Sequence, residues 1–220
     1  MKNNISYYII IIIMNILLNE EYLFFIILFL ISLMLGTIVF KTIYILCIGI
    51  ILLVILFFIY RVPERNVKTK KKEILAPVDG FLYEIVETND NYRFIFWVDE
   101  LDTQAHWAPV TGKITSIEEE GETINVNWFN NNLHNLEKNR RIVSKIDSDY
   151  GEITFIQTKS FLTYDHNLFY SKTNSIEKGS TFGYMLFPGR IDLILPKNIN
   201  INVHMNEKVI GGKTVMCEFH

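Results

Sequence analysis

The chain has 220 residues, half of them apolar, with a formal net charge of −3. That length allows one domain of ordinary size beside a membrane anchor, and the acidic balance of the polar part excludes nucleic acid as a natural partner. Two cysteines exclude a disulfide framework, and neither they nor the five histidines show ligand spacing, so no metal is expected.

Apolar residues crowd into the first sixty positions. Residues 5–18 are apolar but short and broken by Asn15, which leaves open a third marginal span, an interfacial helix or a signal-like extension. No small-residue cleavage site follows, so removal is not expected. Residues 22–40 and 42–60 are apolar runs of roughly 19 residues, each about long enough to cross a hydrocarbon core of ~30 Å as a helix. Gly36 and Lys41 mark the turn between them. The expectation is an extension over 1–21 and a transmembrane helical hairpin over 22–60.

A basic linker follows over 61–73, where Arg61, Arg65, Lys68, Lys70, Lys71 and Lys72 stand against Glu64 and Glu73 for a net of +4. Residues 1–60 are balanced, so residues 74–220 carry a net of −7. A basic collar directly after a span places the remainder in the cytosol by the positive-inside rule. The sequence thus predicts an integral membrane protein with two spans and a cytosolic C-terminal domain. The collar attracts anionic headgroups by up to ~1 kcal/mol per basic residue, and it serves equally well as a stop-transfer signal without lipid specificity.

From residue 74 the pattern changes to short runs rich in β-branched and aromatic residues. Strands are predicted at 81–86, 93–98, 112–117, 123–128, 153–158, 190–195 and 215–219, several with period-2 alternation. Turn chemistry separates them in Pro77-Val78-Asp79-Gly80, Pro109-Val110-Thr111-Gly112 and Gly211-Gly212. Residues 133–142 read as a short helix or an ordered loop, and the Asn-rich stretch 125–135 as a loop. The fold class is mainly β: an antiparallel β domain with short helices over 74–220, on the helical hairpin.

Four local motifs occur in order. Ile59-Tyr60-Arg61-Val62-Pro63-Glu64-Arg65 resembles Phe-Phe-Arg-Asp-Pro-x-Arg, and Ala76-Pro77-Val78-Asp79-Gly80 resembles Ser-Pro-Ala-Asp-Gly. Asp102-Thr103-Gln104-Ala105-His106-Trp107-Ala108-Pro109 resembles Asp-Val-His-Val-Asn-Arg-Ala-Pro. Phe187-Pro188-Gly189-Arg190-Ile191-Asp192-Leu193 resembles Phe-Gly-Ser-Arg-Val-Asp-Leu, and Val209 to Thr214 resembles a Val-x-x-Gly-x-Thr ending. On these residues the chain resembles the phosphatidylserine decarboxylases.

The resemblance implies a reaction, phosphatidylserine to phosphatidylethanolamine and CO2, run by a pyruvoyl group that the family makes from its own serine. An Asp and a His activate that serine in a triad-like arrangement. Here the Asp position is Asp79, the His position falls on Gln104 and the Ser position falls on Gly189. Glutamine takes no proton near neutral pH and glycine offers no nucleophile, so two of three parts are missing and no cofactor is expected. His106, two residues on, would point to the same face of a strand but about 7 Å further along. Ser180, in Gly179-Ser180-Thr181, is the other substitute, although it sits where the family has a turn. The paired arginines that the family carries after the strand at 153–158 are absent from 159–166.

The resemblance therefore implies a membrane-anchored decarboxylase-like protein that is catalytically silent and acts in lipid or partner binding. The alternative is a working decarboxylase processed at Ser180 or helped by another subunit, so whether the chain is an enzyme stays open. Expected partners are the phospholipid membrane, including phosphatidylserine, and a second copy or an active relative in an oligomer. A reading from another class, a biotinyl- or lipoyl-type carrier with Lys213 near a turn, lacks the usual neighbours of a modified lysine.

Overall fold

The computed structural model describes residues 30–38, 43–59, 61–63, 65, 69–99, 101–121, 133–158, 166–168, 175–185 and 189–220. The chain divides into two compact units, Met1–Val62 and Pro63–His220. The predicted extension at 1–21 and the predicted strand at 123–128 lie outside the described residues.

In the first unit residues 30–38 and Ile43–Ile59 are helical. The two helices pack through glycine: Gly49 lies against Leu33 and Gly36 against Ile45. Ile43–Ile59 contains no charged residue, and its 17 residues measure about 25 Å at 1.5 Å per residue. Among the described residues no helix is long and apolar enough to cross a membrane. Residues 22–29, 39–42 and 60, which the expected spans also require, are not among them.

The second unit is antiparallel β throughout its described pairings. Its main sheet has eight strands. In chain order these are β2 (Gly80–Glu87), β3 (Asn91–Val98), β5 (Gly112–Glu120), β6 (Arg141–Ser148), β7 (Gly151–Thr158), β9 (Ser175–Ile176), β11 (Gly189–Pro196) and β13 (Glu207–Val209). Their spatial order is β13-β2-β3-β11-β7-β6-β5-β9. Two three-stranded sheets complete the unit: β1 (Glu73–Leu75), β14 (Val215–Phe219) and β12 (Ile199–Ile201) in one, β4 (Ala105–Trp107), β10 (Thr181–Met185) and β8 (His166–Leu168) in the other.

The central strands carry the core. On β3 Phe94 and Phe96 point into the main apolar cluster with Phe155, Leu193 and Phe182. Ile95, between them, points the other way and is covered by Leu133 and Leu136. Alternation of side chains along a strand makes this possible, and coverage on both faces explains why three consecutive positions are buried. The covering residues belong to a 3-10 turn, Leu133–Leu136. The stretch 133–142 is thus a short turn followed by the start of β6 at Arg141, neither one helix nor one loop. Within the basic stretch 61–73, Arg65 belongs to the second unit and is paired with Asp79.

Candidate active site

The site forms at the end of the large sheet where β2 and β11 begin and β3 ends. Phe81 on β2 faces Trp97 on β3, and Val98 faces Gly189 on β11. The turn carrying Asp79 therefore enters β2 close to the start of β11. Gly80 has φ +151°, and a side chain there would run into the Trp97 carbonyl. Only glycine allows the turn to lie this close to the sheet.

Asp79 is saturated with donors. Arg65 reaches both carboxylate oxygens, Nη1 to Oδ1 at 2.6 Å and Nη2 to Oδ2 at 2.7 Å. The Gly211 N–H donates to Oδ1 at 2.8 Å and the Thr103 hydroxyl to Oδ2. Arg65 also donates to the Gly211 carbonyl and lies 3.8 Å over the centre of the Trp107 ring. Gly211 and Gly212 press on the buried Trp107, where a Cβ would meet ring atoms at 2.5 and 2.8 Å. Burial pushes the Asp79 carboxyl up, but the hydrogen bonds from Arg65, Thr103 and Gly211, with the Arg65 charge, outweigh it and hold the carboxyl below its usual range.

Gln104 directly follows Thr103 and is buried. Its Nε2 donates to the carbonyls of Asp99 at 2.9 Å and Asp102 at 3.1 Å. Its Oε1 has no hydrogen-bond partner among the described residues. Its backbone carbonyl accepts from Met185 N–H at 2.8 Å, and the Met185 side chain lies beside Gly189. A Cβ on Gly189 would meet Met185 Cε at 3.1 Å, Met185 Sδ at 3.3 Å and the Thr158 carbonyl at 3.3 Å. There is room for a small side chain if the methionine tip shifts, but glycine supplies no hydroxyl. Phe187 and Pro188 lie outside the described residues.

The residue after Gly189 is firmly fixed. Arg190 is buried, with Nε on Asp192 Oδ1 at 2.7 Å, Nη2 on Asp192 Oδ2 at 3.0 Å and Nη1 on the Leu133 carbonyl at 2.7 Å. Arg93 Nε adds a second guanidinium to Asp192 at 3.0 Å, and Glu137 faces both arginines at 3.5–3.7 Å. Arg190 and Asp192 are buried, Arg93 and Glu137 are more open to solvent, and the close pairing of the first two offsets the cost of burying their charges.

Asp79, Gln104 and Gly189 are thus brought to one end of the sheet. The two substitutes are placed otherwise. His106 is buried on β4, its Nδ1 2.6 Å from Gln157 Nε2 and its ring edge-on to Phe155 at 5.5 Å. Ser180 closes a turn, its hydroxyl donating to the Glu177 carbonyl at 2.6 Å. It precedes β10, whereas Met185 is the last residue of that strand and Gly189 lies beyond it. Arg65, Thr103, Gly211 and the Arg93–Glu137 pair are site residues that sequence reasoning missed. The available signal was that Arg65, Asp79, Thr103 and Gly211 each fall inside one of the ordered motifs.

The sequence matches the phosphatidylserine decarboxylase family over residues 54–217. It is 26% identical over 160 residues to the phosphatidylserine decarboxylase proenzyme of Streptomyces avermitilis, covering 72% of each chain. It is 26% identical over 175 residues to a putative archaetidylserine decarboxylase proenzyme of Methanosarcina mazei, covering 79% of this chain and 80% of that one. The phosphatidylserine decarboxylase proenzyme of Cytophaga hutchinsonii is 25% identical over 187 residues, 82% of this chain and 83% of its own. No solved structure gives a significant match. The match spans the motif at 59–65, the Asp79 turn, the Gln104 segment and the Gly189 strand together, and the chain belongs to the phosphatidylserine decarboxylase family.

Proposed function

We propose that this chain is a membrane-anchored, catalytically silent member of its family, acting by binding phospholipid or a partner enzyme. The observation that carries this reading is Gly189. The motif's serine position is bare backbone beside Met185, so the pyruvoyl group that the family builds from its own serine has no precursor here. The glutamine at position 104 removes the base as well, because an amide side chain neither takes nor delivers a proton near neutral pH. Asp79 persists in a second duty, holding Arg65 and the Gly211 turn.

Anchoring is supported by the apolar exterior of the first unit. Leu30, Met34, Ile38, Ile48, Ile51 and Val54 are all exposed on its helices, and helices apolar all round are stable where their surroundings are apolar. The basic collar after residue 60 favours two spans with the β unit in the cytosol. A second copy or an active relative is the protein partner that a silent member would regulate or stabilise. Processing at Ser180 is the weaker alternative, because that hydroxyl is committed to its own turn.

The test is a decarboxylation assay on the purified full chain in vesicles containing phosphatidylserine. The expected result is no CO2 release above protein-free vesicles. Sustained turnover would refute the silent reading.

A further inference from the structure

Two guanidiniums share one buried carboxylate on the face of the large sheet that the Leu133–Leu136 turn covers. Arg93 on β3 and Arg190 on β11 alternate with the core residues Phe94 and Ile191, so both stand on the opposite face. Each guanidinium has five N–H groups. Arg190 gives Nε and Nη2 to the two oxygens of Asp192 and Nη1 to the Leu133 carbonyl. Arg93 gives Nε and Nη2 to Asp192 Oδ2. Asp192 neutralises one of the two positive charges. Glu137 answers the other, and both guanidiniums turn to the same oxygen of it. Arg190 Nη2 lies 3.5 Å and Arg93 Nη1 3.7 Å from Glu137 Oε1.

Those two distances are long. A charge-assisted N–H···O bond closes to about 2.7–2.9 Å, so Glu137 marks an anion position without filling it. Its backbone is held in place. Leu133 and Leu136 are buried, Arg190 holds the Leu133 carbonyl, and Arg141 Nη1 donates to the Glu137 carbonyl at 3.1 Å. The Arg141 charge itself goes to Glu120 at 2.9 Å. The Arg190 side chain is 1% exposed, against 26% for Arg93 and 45% for Glu137. One wall of the cradle is therefore fixed and buried, the other opens to solvent, and the carboxylate between them is half in water already.

We propose that Arg93 and Arg190 form a binding site for a phosphate group, with Glu137 as its internal competitor. Guanidiniums match phosphate oxygens by shape and by paired N–H groups. A tetrahedral anion presents several oxygens to donors arriving from two strands, whereas Glu137 offers one oxygen to both. Displacing Glu137 costs little desolvation, because its side chain is already half exposed. Asp192 stays in place and keeps the two arginines paired. A phosphodiester headgroup and a free phosphate carry the same chemistry. The proposal concerns the β unit alone and goes beyond the silent, membrane-anchored reading without depending on it.

The test is titration calorimetry of the full chain in detergent, with inorganic phosphate, glycerol 3-phosphate, glycerophosphoserine or acetate at an ionic strength fixed with chloride. An internal competitor lowers the apparent affinity by the fraction of time it occupies the site. Glu137→Gln is therefore expected to bind inorganic phosphate at least five-fold more tightly than the parent. Adding Arg93→Gln to that variant should weaken binding at least ten-fold, since Arg93 Nη1 is one of the two donors. Thermal unfolding of each variant checks the fold. If Glu137→Gln unfolds, Glu137→Asp, which withdraws the carboxylate by one methylene, should show the same tightening. Tighter binding of glycerophosphoserine than of inorganic phosphate would assign the site to a phosphodiester headgroup, and the reverse order to a free phosphate or monoester. Equal phosphate affinity in the parent and the folded Glu137 variants overturns the proposal. So does binding that survives Arg93→Gln unchanged, or acetate bound as tightly as phosphate. None of these results alters the silent reading, which rests on Gly189.

Discussion

Asp79 and Gly189 stand at the same end of one sheet, in two motifs of the same family, and their surroundings differ in what they hold. Around Asp79 every carboxylate oxygen has a partner, and those partners tie the Arg65 segment, the Thr103 segment and the Gly211 turn together. Around Gly189 the described residues supply the strand pairing and the Arg190–Asp192 pair, but position 189 itself carries no hydroxyl. A residue that carries both chemistry and structure costs stability when it changes. A serine that serves chemistry alone costs little, because Met185 fills the space beside it. On the reading proposed above, the contrast is how the fold keeps its acid without the nucleophile.

The change that would break this contrast most visibly is the triple substitution Gln104→His, Pro188→Gly and Gly189→Ser. If only the groups are lost, it should convert an uncut chain into one showing some cleavage before residue 189, read as two fragments on a gel. Leaving out Gly189→Ser should abolish the effect. A triple variant that folds and stays whole on long incubation would mean that the geometry around Gly189 has drifted too.

Asp79→Ala should be the most damaging single change. It strands the Arg65 guanidinium, whose side chain is 6% exposed, and losing one partner of a buried pair costs about 3–5 kcal/mol. Urea unfolding in detergent, followed by tryptophan fluorescence, reads this. A loss below about 1 kcal/mol, the level of an exposed pair, would show that the cluster is not structural.

Acid gives a smaller and more specific effect. The folded-state pKa of Asp79 is depressed, so its contribution is fully present above the ordinary carboxylate value of about 3.9 and is lost as pH falls through the folded value. The stability of Asp79→Asn should therefore decline less steeply than that of the parent below about pH 4. Parallel acid limbs would contradict the assignment.

Gly189→Ser alone should change stability least, by no more than about 1 kcal/mol, since the flexible tip of Met185 and, slightly, the Thr158 carbonyl must yield. A larger loss would show that the space at 189 has closed.

The long strands of the β unit were legible in the sequence because their alternation and flanking turns are strong: β2, β3, β5, β7, β11 and β14 each contain a predicted run. Short strands such as β4, β8, β12 and β13, of three residues each, are too brief for a period to register. β6 was obscured because polar Ser144 and Lys145 interrupt its apolar run, and its pairing with β5 and β7 supplies what propensity does not. The positions of Asp79, Gln104 and Gly189 were readable from motif spacing. Their partners were not, since Arg65 meets Gly211 across 146 positions and the contact exists only once the fold is made. The direction in which His106 turns, toward Gln157, likewise depends on the pairing of β4 with β10.

The intact mass of the purified chain is the most direct measurement of whether Gly189 has ended the family's chemistry here. A single species at the mass of the whole polypeptide, with no carbonyl-reactive fragment, is the expected result. Two chains, one with a blocked, carbonyl-reactive N-terminus at residue 180 or 189, would contradict it.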